Sequence, residues 1–283
     1  MIPLLSQGRP LVMGILNVTP DSFYDGGRYA DPAAAIARGR AMIAEGADIV
    51  DVGGESTRPG ASAVSLEEEL RRVLDVVEAL SMDVRVSIDT TKPDVARQAV
   101  SRGASIVNDV SASLAAVAAE TGAAFVAMHR KGTPATMQID PHYDDVVAEV
   151  VAYLAERALE AEALGAREVW VDPGIGFGKT ARHNLELLAG LDAVCALGYP
   201  VLVGTSRKTF LGRIAAGTLE GSGPPLPPEE RLEGSLASAV WAMARGASAV
   251  RVHDVAATAQ AARLVGVVGA VGAARAPRAG GAR

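Results

Sequence analysis

Short apolar runs alternate along this chain with longer segments of helical periodicity, and the alternation predicts the fold. Eight runs have the length of a β-strand and are almost continuously apolar; they lie near residues 11–16, 48–52, 84–88, 104–108, 124–128, 168–172, 200–204 and 249–253. Such runs are typical of parallel strands that are covered by helices on one face and packed against side chains on the other. Strands that alternate with helices predict a mostly parallel α/β fold.

Apolar residues between these runs recur every three or four positions, as on the buried face of a helix. In residues 65–81 the apolar stripe consists of Leu66, Leu70, Val73, Leu74, Val77 and Leu80. Ser65 and Glu68 also have the form of a capping box at the start of this helix. Pro93 suits the first turn of the next helix. Residues 143–164 predict a longer helix, whose inward-facing residues would be Val147, Val150, Val151 and Leu154.

Nearly every apolar run ends in a residue whose side chain can take part in chemistry. These residues include Asn17, Asp89, Asn108, His129, Asp172, Lys208 and His253. In a closed barrel of eight strand–helix units the active site lies at the carboxyl ends of the strands, where such residues would meet. We therefore predict an α/β fold of the (β/α)8 TIM barrel type that forms a single domain over residues 1–283, with a frayed tail from about Gly269. An open doubly wound sheet is the alternative.

Three segments do not fit the strand–helix repeat. Residues 19–27 and 53–65 exceed the usual strand-to-helix loop of about 2–6 residues, so we predict that they carry function. Residues 217–230 predict an exposed Pro-rich connection, and the sequence indicates no function for it.

Composition and charge narrow the possible partners. The 283 residues are 49% hydrophobic and 21% charged, which provides for a large core. A net charge of -6 without a basic stripe argues against nucleic-acid and anionic-membrane surfaces, which need clustered Lys and Arg. Cys195, the single cysteine, is expected to be a packed core thiol. The first residues lack signal-peptide features and the apolar stretch from Leu264 is shorter than the roughly 20 residues of a membrane span, so we expect a cytoplasmic protein.

Asp89, Asn108 and Asp172 follow different strands but would face one cavity. Together they suit a flat heterocycle with an amidine-like edge, because a carboxylate accepts two parallel N–H hydrogen bonds. The alternative is that each Asp residue only caps the helix that follows it.

Arg251 and His253 alternate on the last strand, so their side chains face the same side of it. With Asn17 and Thr57 they would form a local anion site. The amide oxygen of Asn17 would then be available to Mg²⁺, which takes few ligands from the protein. For His253 the alternative is a structural role, with the ring bonded only to backbone.

Lys208 would place a positive charge over the ligand, whereas Arg207 is expected to form a structural salt bridge. Residues 174–180 look like a phosphate-binding P-loop, but Pro173 stands where that loop needs glycine. This difference argues against a nucleotide triphosphatase. The four histidines and the cysteine show no zinc-binding spacing.

Seven motifs, in order along the chain, resemble those of dihydropteroate synthase. They are MGILNVTPDSFYDGG (13–27), DVGGESTRPGA (51–61), SIDTTKP (87–93), VNDV (107–110), DPGIGFGK (172–179), GTSRKTF (204–210) and RVHDV (251–255). The resemblance implies a (β/α)8 barrel, usually a homodimer. It also implies a transferase of folate biosynthesis and a sulfonamide target that uses Mg²⁺. Its reaction would join 6-hydroxymethyl-7,8-dihydropterin pyrophosphate to p-aminobenzoate, giving 7,8-dihydropteroate and pyrophosphate.

The resemblance also implies a role for each matching residue. The pterin would contact Asp89, Asn108, Val110, Met128, Asp172, Lys208 and Arg251. The pyrophosphate and Mg²⁺ would contact Asn17, and the pyrophosphate would also contact Thr57, Arg58, Arg251 and His253. The p-aminobenzoate pocket would consist of Phe23, Pro59, Phe177, Lys208 and Thr209. The catalytic residues would be Asp25, Asp89, Asp172, Lys208, Arg251 and His253. The chain departs from the family pattern at Arg130 and Lys131, to which we assign no role.

These roles predict a dissociative substitution. Metal and cationic side chains would stabilise the departing pyrophosphate, while Asp89 and Asp172 would favour positive charge on the pterin's methylene carbon. One alternative is a pterin-dependent methyltransferase domain with a related barrel, which has no reason to keep the motifs at residues 19–23 and 206–208. The other is a pterin-binding protein without activity.

Overall fold

The computed structural model describes residues 8–19, 32–55, 64–133, 136–219 and 223–275. Its eight strands are β1 (Leu11–Asn17), β2 (Ile49–Gly53), β3 (Arg85–Asp89), β4 (Ile106–Asp109), β5 (Ala124–Met128), β6 (Val169–Asp172), β7 (Leu202–Val203) and β8 (Ala249–Val252). Each coincides with a predicted run, and the bounds differ by two residues or fewer.

All strand pairs in the sheet are parallel, and their order closes a ring. The order is β6-β5-β4-β3-β2-β1-β8-β7, so β1 lies between β2 and β8. A parallel bridge between Val171 and Val201 joins β6 to the chain just before β7. The predicted (β/α)8 barrel is therefore confirmed, and the open doubly wound alternative is wrong.

Ten α-helices of the described residues surround the strands. They are α1 (Pro32–Glu45), α2 (Leu66–Ser81), α3 (Pro93–Ser101), α4 (Ala115–Thr121), α5 (Val146–Ala163), α6 (Ala181–Ala189), α7 (Leu191–Cys195), α8 (Thr209–Ala215), α9 (Leu232–Ala244) and α10 (Val255–Arg275). A short 3-10 helix, Pro228–Glu230, lies in the Pro-rich connection before α9. Helix α10 continues past Gly269, where the sequence predicts a frayed tail, as far as Arg275. Within the described residues no helix has both the length and the apolar character that crossing a membrane requires.

Local side chains decide where the helices begin. The Ser65 side chain accepts a hydrogen bond from the backbone N–H of Glu68 at 3.2 Å, as the predicted capping box requires. The Glu68 carboxylate, however, binds Arg71 and Arg72. Helix α5 begins at Val146, three residues later than predicted, because the Asp145 side chain caps it by accepting hydrogen bonds from the N–H groups of residues 147 and 148.

The barrel interior changes from apolar to polar along the strands. Its apolar layer consists of Leu11, Met13, Ile49, Ile106, Ala124, Val126, Trp170, Leu202 and Ala249. Successive side chains of a strand face opposite sides, so the next inward position lies two residues farther along. On β2, β4, β6 and β8 that position is polar: Asp51, Asn108, Asp172 and Arg251. The apolar layer therefore supports a polar layer at the carboxyl ends of the strands.

Candidate active site

A cleft opens above this polar layer, at the carboxyl ends of the strands. It is lined by Ile15, Asp89, Asn108, Val110, Met128, Asp172, Phe177, Gly204, Ser206, Lys208, Arg251 and His253. Nine of these twelve residues belong to the site predicted from the sequence; Ile15, Gly204 and Ser206 do not. The strand-end residues therefore converge, as the barrel geometry predicts.

Of the predicted site residues that the structure describes, two do not line this cleft. Asn17 ends β1 beside it: a Cβ added to Gly53 would lie 3.7 Å from Asn17 Oδ1 and 3.5 Å from Asp89 Cβ. Thr209 is exposed at the first residue of α8. Five further predicted site residues, Phe23, Asp25, Thr57, Arg58 and Pro59, lie outside the described residues.

Arg251 lies at the centre of a buried ion-pair network. Its Nε donates to Asp51 Oδ2 and its Nη2 to Asp89 Oδ2, each at 2.6 Å. Asn108 Nδ2 also donates to Asp51 Oδ2, at 3.1 Å. Burial opposes the charge of Arg251, but Asp51 and Asp89 outweigh it and raise the pKa of the guanidinium. The network joins residues of β2, β3, β4 and β8 across the barrel.

Asp51 is a site residue that the sequence reasoning missed. Its side chain is fully buried, and charged residues are almost never fully buried unless they are paired. The signal was present, since Asp51 is a carboxylate in the middle of the apolar run DIVDV. The sequence did not indicate which residue pairs with Asp51, because its partner Arg251 lies 200 positions away.

Asp89 keeps one carboxylate oxygen for a ligand. Oδ2 is paired with Arg251, whereas the buried Oδ1 accepts no hydrogen bond from the part of the chain that the structure describes. Burial raises the pKa of Asp89 to about 7, although the charge of Arg251 opposes the shift. A carboxyl group with this pKa can either accept or donate a proton near neutrality.

Asp172 and Lys208 form the opposite wall of the cleft. Asp172 Oδ1 accepts from the backbone N–H of Gly174 at 2.7 Å, and burial raises the pKa of this carboxyl group although Lys208 opposes it. Lys208 Nζ donates to the carbonyl oxygen of Ile175 and lies 4.7 Å from the centre of the Phe177 ring. Burial lowers the pKa of Lys208 to about 8 against the charge of Asp172. Carboxylate, ammonium and aromatic ring thus lie within one part of the cleft.

Ser206 orients His253. Ser206 Oγ accepts from the backbone N–H of His253 at 3.1 Å and lies 3.0 Å from His253 Nδ1. Because the oxygen already accepts a hydrogen bond, its hydroxyl can donate to Nδ1, which leaves the ring proton on Nε2. Ser206 was not assigned from the sequence, although it lies beside residues that were. The predicted salt bridge of Arg207 is confirmed: its guanidinium binds both oxygens of Asp254, at 2.6 and 3.1 Å.

The geometry supplies two kinds of recognition. Asp89, Asn108 and Asp172 offer acceptors and a donor to the polar edge of a planar ligand, and Val110 and Met128 provide apolar walls. His253 and the rest of the Arg251 guanidinium offer N–H donors to an anion. A planar, anionic substrate fits both.

Comparisons with known proteins agree with this geometry. A family model described as "Pterin binding enzyme" matches residues 13–253. The dihydropteroate synthase of Escherichia coli (strain K12) is 48% identical over 269 residues, covering 92% of each chain. The Xanthomonas albilineans dihydropteroate synthase with 4-aminobenzoic acid is 46% identical with a TM-score of 0.83, covering 95% of each chain. The same enzyme with 7,8-dihydropteroate is 44% identical with a TM-score of 0.80, covering 95% of this chain and 96% of the other.

The dihydropteroate synthase of Yersinia pestis, solved with a sulfonamide drug complex, is also similar. It is 41% identical and has a TM-score of 0.86, covering 94% of this chain and 96% of that chain. Every one of these matches spans nearly the whole barrel, so the likeness is not confined to one motif.

Proposed function

Because the chain belongs to the dihydropteroate synthase family of pterin-binding enzymes, we propose that it joins 6-hydroxymethyl-7,8-dihydropterin pyrophosphate to p-aminobenzoate. The products are 7,8-dihydropteroate and pyrophosphate, and the chain is a transferase of folate biosynthesis. The observation that carries the proposal is the cleft itself, in which Asp89, Asn108, Asp172 and Lys208 converge beside Arg251 and His253.

The pterin occupies the inner part of the cleft. Its amidine-like edge donates to Asp172 and Asp89 Oδ1, and Asn108 and Lys208 reach its other polar atoms. One N–H of Asn108 Nδ2 donates to Asp51, so its second N–H and its amide oxygen remain for the ligand. Val110 and Met128 cover the ring of the pterin. These apolar walls exclude water and thereby strengthen the polar contacts of the ligand.

The amine substrate binds nearer the cleft mouth, against Phe177 and Lys208. Phe23, Pro59 and Thr209 are proposed to complete this pocket. The structure of the Yersinia pestis relative with a sulfonamide drug complex supports the proposal that this chain also binds sulfonamides.

The reaction is a substitution at the pterin's methylene carbon. The carbon–oxygen bond to pyrophosphate breaks and its electron pair leaves with the pyrophosphate. The lone pair of the aromatic amine then forms the carbon–nitrogen bond, and the amine loses a proton to solvent. His253 and Arg251 stabilise the departing negative charge, while Asp172 and Asp89 stabilise the electron-poor carbon. Asp25 is proposed to help the cation persist until the amine attacks.

Mg²⁺ is proposed as the cofactor, held by Asn17. Among the described residues no group of three Asp, Glu, His or Cys side chains could hold a metal ion. The amide oxygen of Asn17, at the carboxyl end of β1, fits a cation that takes few ligands from the protein and the rest from water and substrate phosphate, as Mg²⁺ does. Bound there, Mg²⁺ would offset the charge of the pyrophosphate.

A homodimer is proposed as the working form. Apolar side chains on α8 and α9 support it: Ile214 is 43% exposed and Trp241 46% exposed. The two helices pack against each other, and a second copy of the chain could cover their exposed apolar side chains. Sedimentation velocity measures the mass directly, and a monomer at micromolar concentration would contradict the proposal.

Pyrophosphate release tests the function. We expect release only when pterin pyrophosphate, p-aminobenzoate and Mg²⁺ are all present. Omission of either substrate or of the metal serves as the control. Methyl transfer without pyrophosphate release would instead identify a pterin-dependent methyltransferase, and pterin binding without turnover would identify a protein that has lost activity.

Binding of pterin pyrophosphate is expected to weaken as the pH rises through about 8, where the Lys208 ammonium loses its proton. Burial lowers the pKa of Lys208 to this value. The charged ammonium therefore dominates below about pH 8 and is lost above it. Affinity should fall by up to about tenfold per pH unit on the alkaline side. Calorimetric titration on both sides of pH 8 measures the effect. In Lys208→Met binding should be weaker throughout and lack this inflection; an unchanged inflection would assign it to another group.

A further inference from the structure

Lys179 is a buried cation that the proposed mechanism does not use. It ends the motif DPGIGFGK, and only 2% of its surface is exposed. Its Nζ lies 2.9 Å from His129 Nδ1, 2.9 Å from the carbonyl oxygen of Gly174 and 3.1 Å from that of Phe177. Three acceptors around one nitrogen match the three N–H donors of an ammonium group.

His129 can accept this hydrogen bond because its ring is neutral. Burial, with the positive charge of Lys179 adding to it, lowers the pKa of His129 to about 3. Nδ1 therefore carries a lone pair toward Lys179 and the proton resides on Nε2. The contact joins the end of β5 to the loop that follows β6.

That loop, residues 173–178, lies directly on the backbone after β5. Gly174 and Gly178 both have φ +65, a left-handed conformation that favours glycine. A Cβ at Gly174 would lie 1.7 Å from the carbonyl oxygen of His129, and one at Gly178 would lie 2.2 Å from that of Lys131. No residue with a side chain fits at either position. Packing of side chains from these positions therefore cannot hold the loop in place, and other attractive contacts must do so.

The loop carries two groups of the proposed site. The carbonyl oxygen of Ile175 accepts from Lys208 Nζ, and the Phe177 ring lines the cleft beside the same ammonium. Lys179 binds the carbonyl oxygens of Gly174 and Phe177, on either side of Ile175. A displacement of the loop would therefore move Phe177 and the partner of Lys208 together.

Resting on the proposed function, we propose that Lys179 is a positioning residue for the reaction: its ammonium ties the loop after β6 to His129 and thereby fixes Phe177 and Lys208. It touches neither substrate nor the reacting atoms. Its effect is transmitted through the loop backbone.

The burial that gives Lys179 its three contacts also opposes its charge. Burial lowers the pKa of Lys179 to about 7, with Asp172 opposing the shift and Lys208 and Lys131 adding to it. Keeping a desolvated ammonium is unfavourable, and an apolar residue of similar length would avoid that cost. Methionine in this position would fill the space but would leave His129 Nδ1 and two carbonyl groups without their donor.

Lys179→Met and its matched control Lys131→Met test the proposal. Lys131 comes from the same region but is exposed, with 48% of its side chain accessible, and binds the carbonyl oxygen of His142 and Glu149. Hydrogen exchange of the full-length protein without ligand reads the loop, where the N–H groups of Gly174, Gly176 and Phe177 are hydrogen-bonded. In Lys179→Met we expect the protection of residues 173–178 from exchange to fall at least about tenfold, because the loop opens locally once Lys179 no longer holds it. The protection of β1 should be unchanged.

Steady-state kinetics measure how the displaced loop affects the binding of each substrate. Lys179→Met should raise the KM for p-aminobenzoate by about tenfold, the effect of one lost hydrogen-bond network, and change the KM for pterin pyrophosphate less. The reason is that Phe177 belongs to the amine pocket, whereas Asp89, Asn108 and Asp172 still hold the pterin. Lys131→Met should leave both values within about twofold.

Unchanged loop protection, or equal rises in both KM values, would overturn the role of Lys179. So would protection lost evenly over the whole barrel, since that describes a purely structural residue. If Lys179→Met does not fold, Lys179→Gln, which keeps two N–H donors without the charge, takes its place. Hydrogen exchange is measured without substrate, so its result does not depend on whether the chain catalyses the proposed reaction. A failure of the role of Lys179 can therefore be distinguished from a failure of the proposed function.

Discussion

Arg251→Ala is expected to lower kcat by about 10²–10³, or about 3–4 kcal/mol, because it removes a charge stabiliser of the departing pyrophosphate. The network explains why a positive charge can be kept inside the barrel. Two carboxylates, Asp51 and Asp89, bind the guanidinium at 2.6 Å each, which fixes it before substrate arrives. A group that is already oriented does not have to reorganise in the transition state.

The same substitution should also make the stability of the protein depend more strongly on pH. Without Arg251 the pKa of Asp89, which burial already raises to about 7, loses the positive charge that opposes the rise. The folded protein then binds protons that the unfolded chain releases, so the variant should lose stability as pH rises above the ordinary carboxyl range. Thermal unfolding at acidic and neutral pH measures this change.

Arg40→Ala is the control, because Arg40 forms an exposed ion pair with Asp83 at 3.4 Å. Exposed pairs contribute about 0–1 kcal/mol, so this variant should unfold and turn over like the wild type. Near-native turnover of Arg251→Ala with intact pterin binding would contradict the role of Arg251.

Asp51→Ala is expected to lower the free energy of unfolding by about 3–5 kcal/mol, the usual cost of removing one partner from a buried ion pair. Arg251 Nε and Asn108 Nδ2 both donate to Asp51 Oδ2, so the substitution leaves two buried donors unpaired. Asp89 still compensates the charge of Arg251, which favours the lower end of this range. Urea unfolding followed by circular dichroism measures the change.

Activity should fall along with stability, because Asn108 and Arg251 lose the anchor that they share. Asp51→Asn keeps an acceptor oxygen and should recover part of both losses. Asp83→Ala removes the carboxylate of the exposed pair and should change stability by about 0–1 kcal/mol. An Asp51→Ala protein as stable as Asp83→Ala would show that the network contributes little to folding.

Much of the site could be predicted because a barrel brings the ends of all its strands together, although these ends are far apart in the sequence. Each strand ends at the same rim, so a polar residue after an apolar run is placed in the cleft by periodicity alone. Asp89, Asn108, Asp172 and Lys208 were found in this way, and all four line the cleft. Asn17 shows the limit of this rule, since it also ends an apolar run but lies beside the cleft and does not line it. Thr209, which only the resemblance indicated, is exposed at the start of α8.

The partners of these residues could not be predicted in the same way. Arg251 was expected to meet the ligand, but it also pairs with Asp51 and Asp89, 200 and 162 positions away. Ser206 and Lys179 act through His253 and the loop after β6, and nothing in their spacing indicates those contacts. The late start of α5 is different, because the Asp145 cap is a local feature that the sequence itself contains.

The sequence by itself determined the barrel, the rim on which the chemistry lies and the residue types that the rim presents, because strand period and helix period are properties of neighbouring residues. Only the tertiary structure decided which charges are paired, which carboxylate oxygens remain for a ligand and which pKa values shift. Those properties depend on burial and on distances between residues far apart in the chain, and they exist only after the ring of strands has closed.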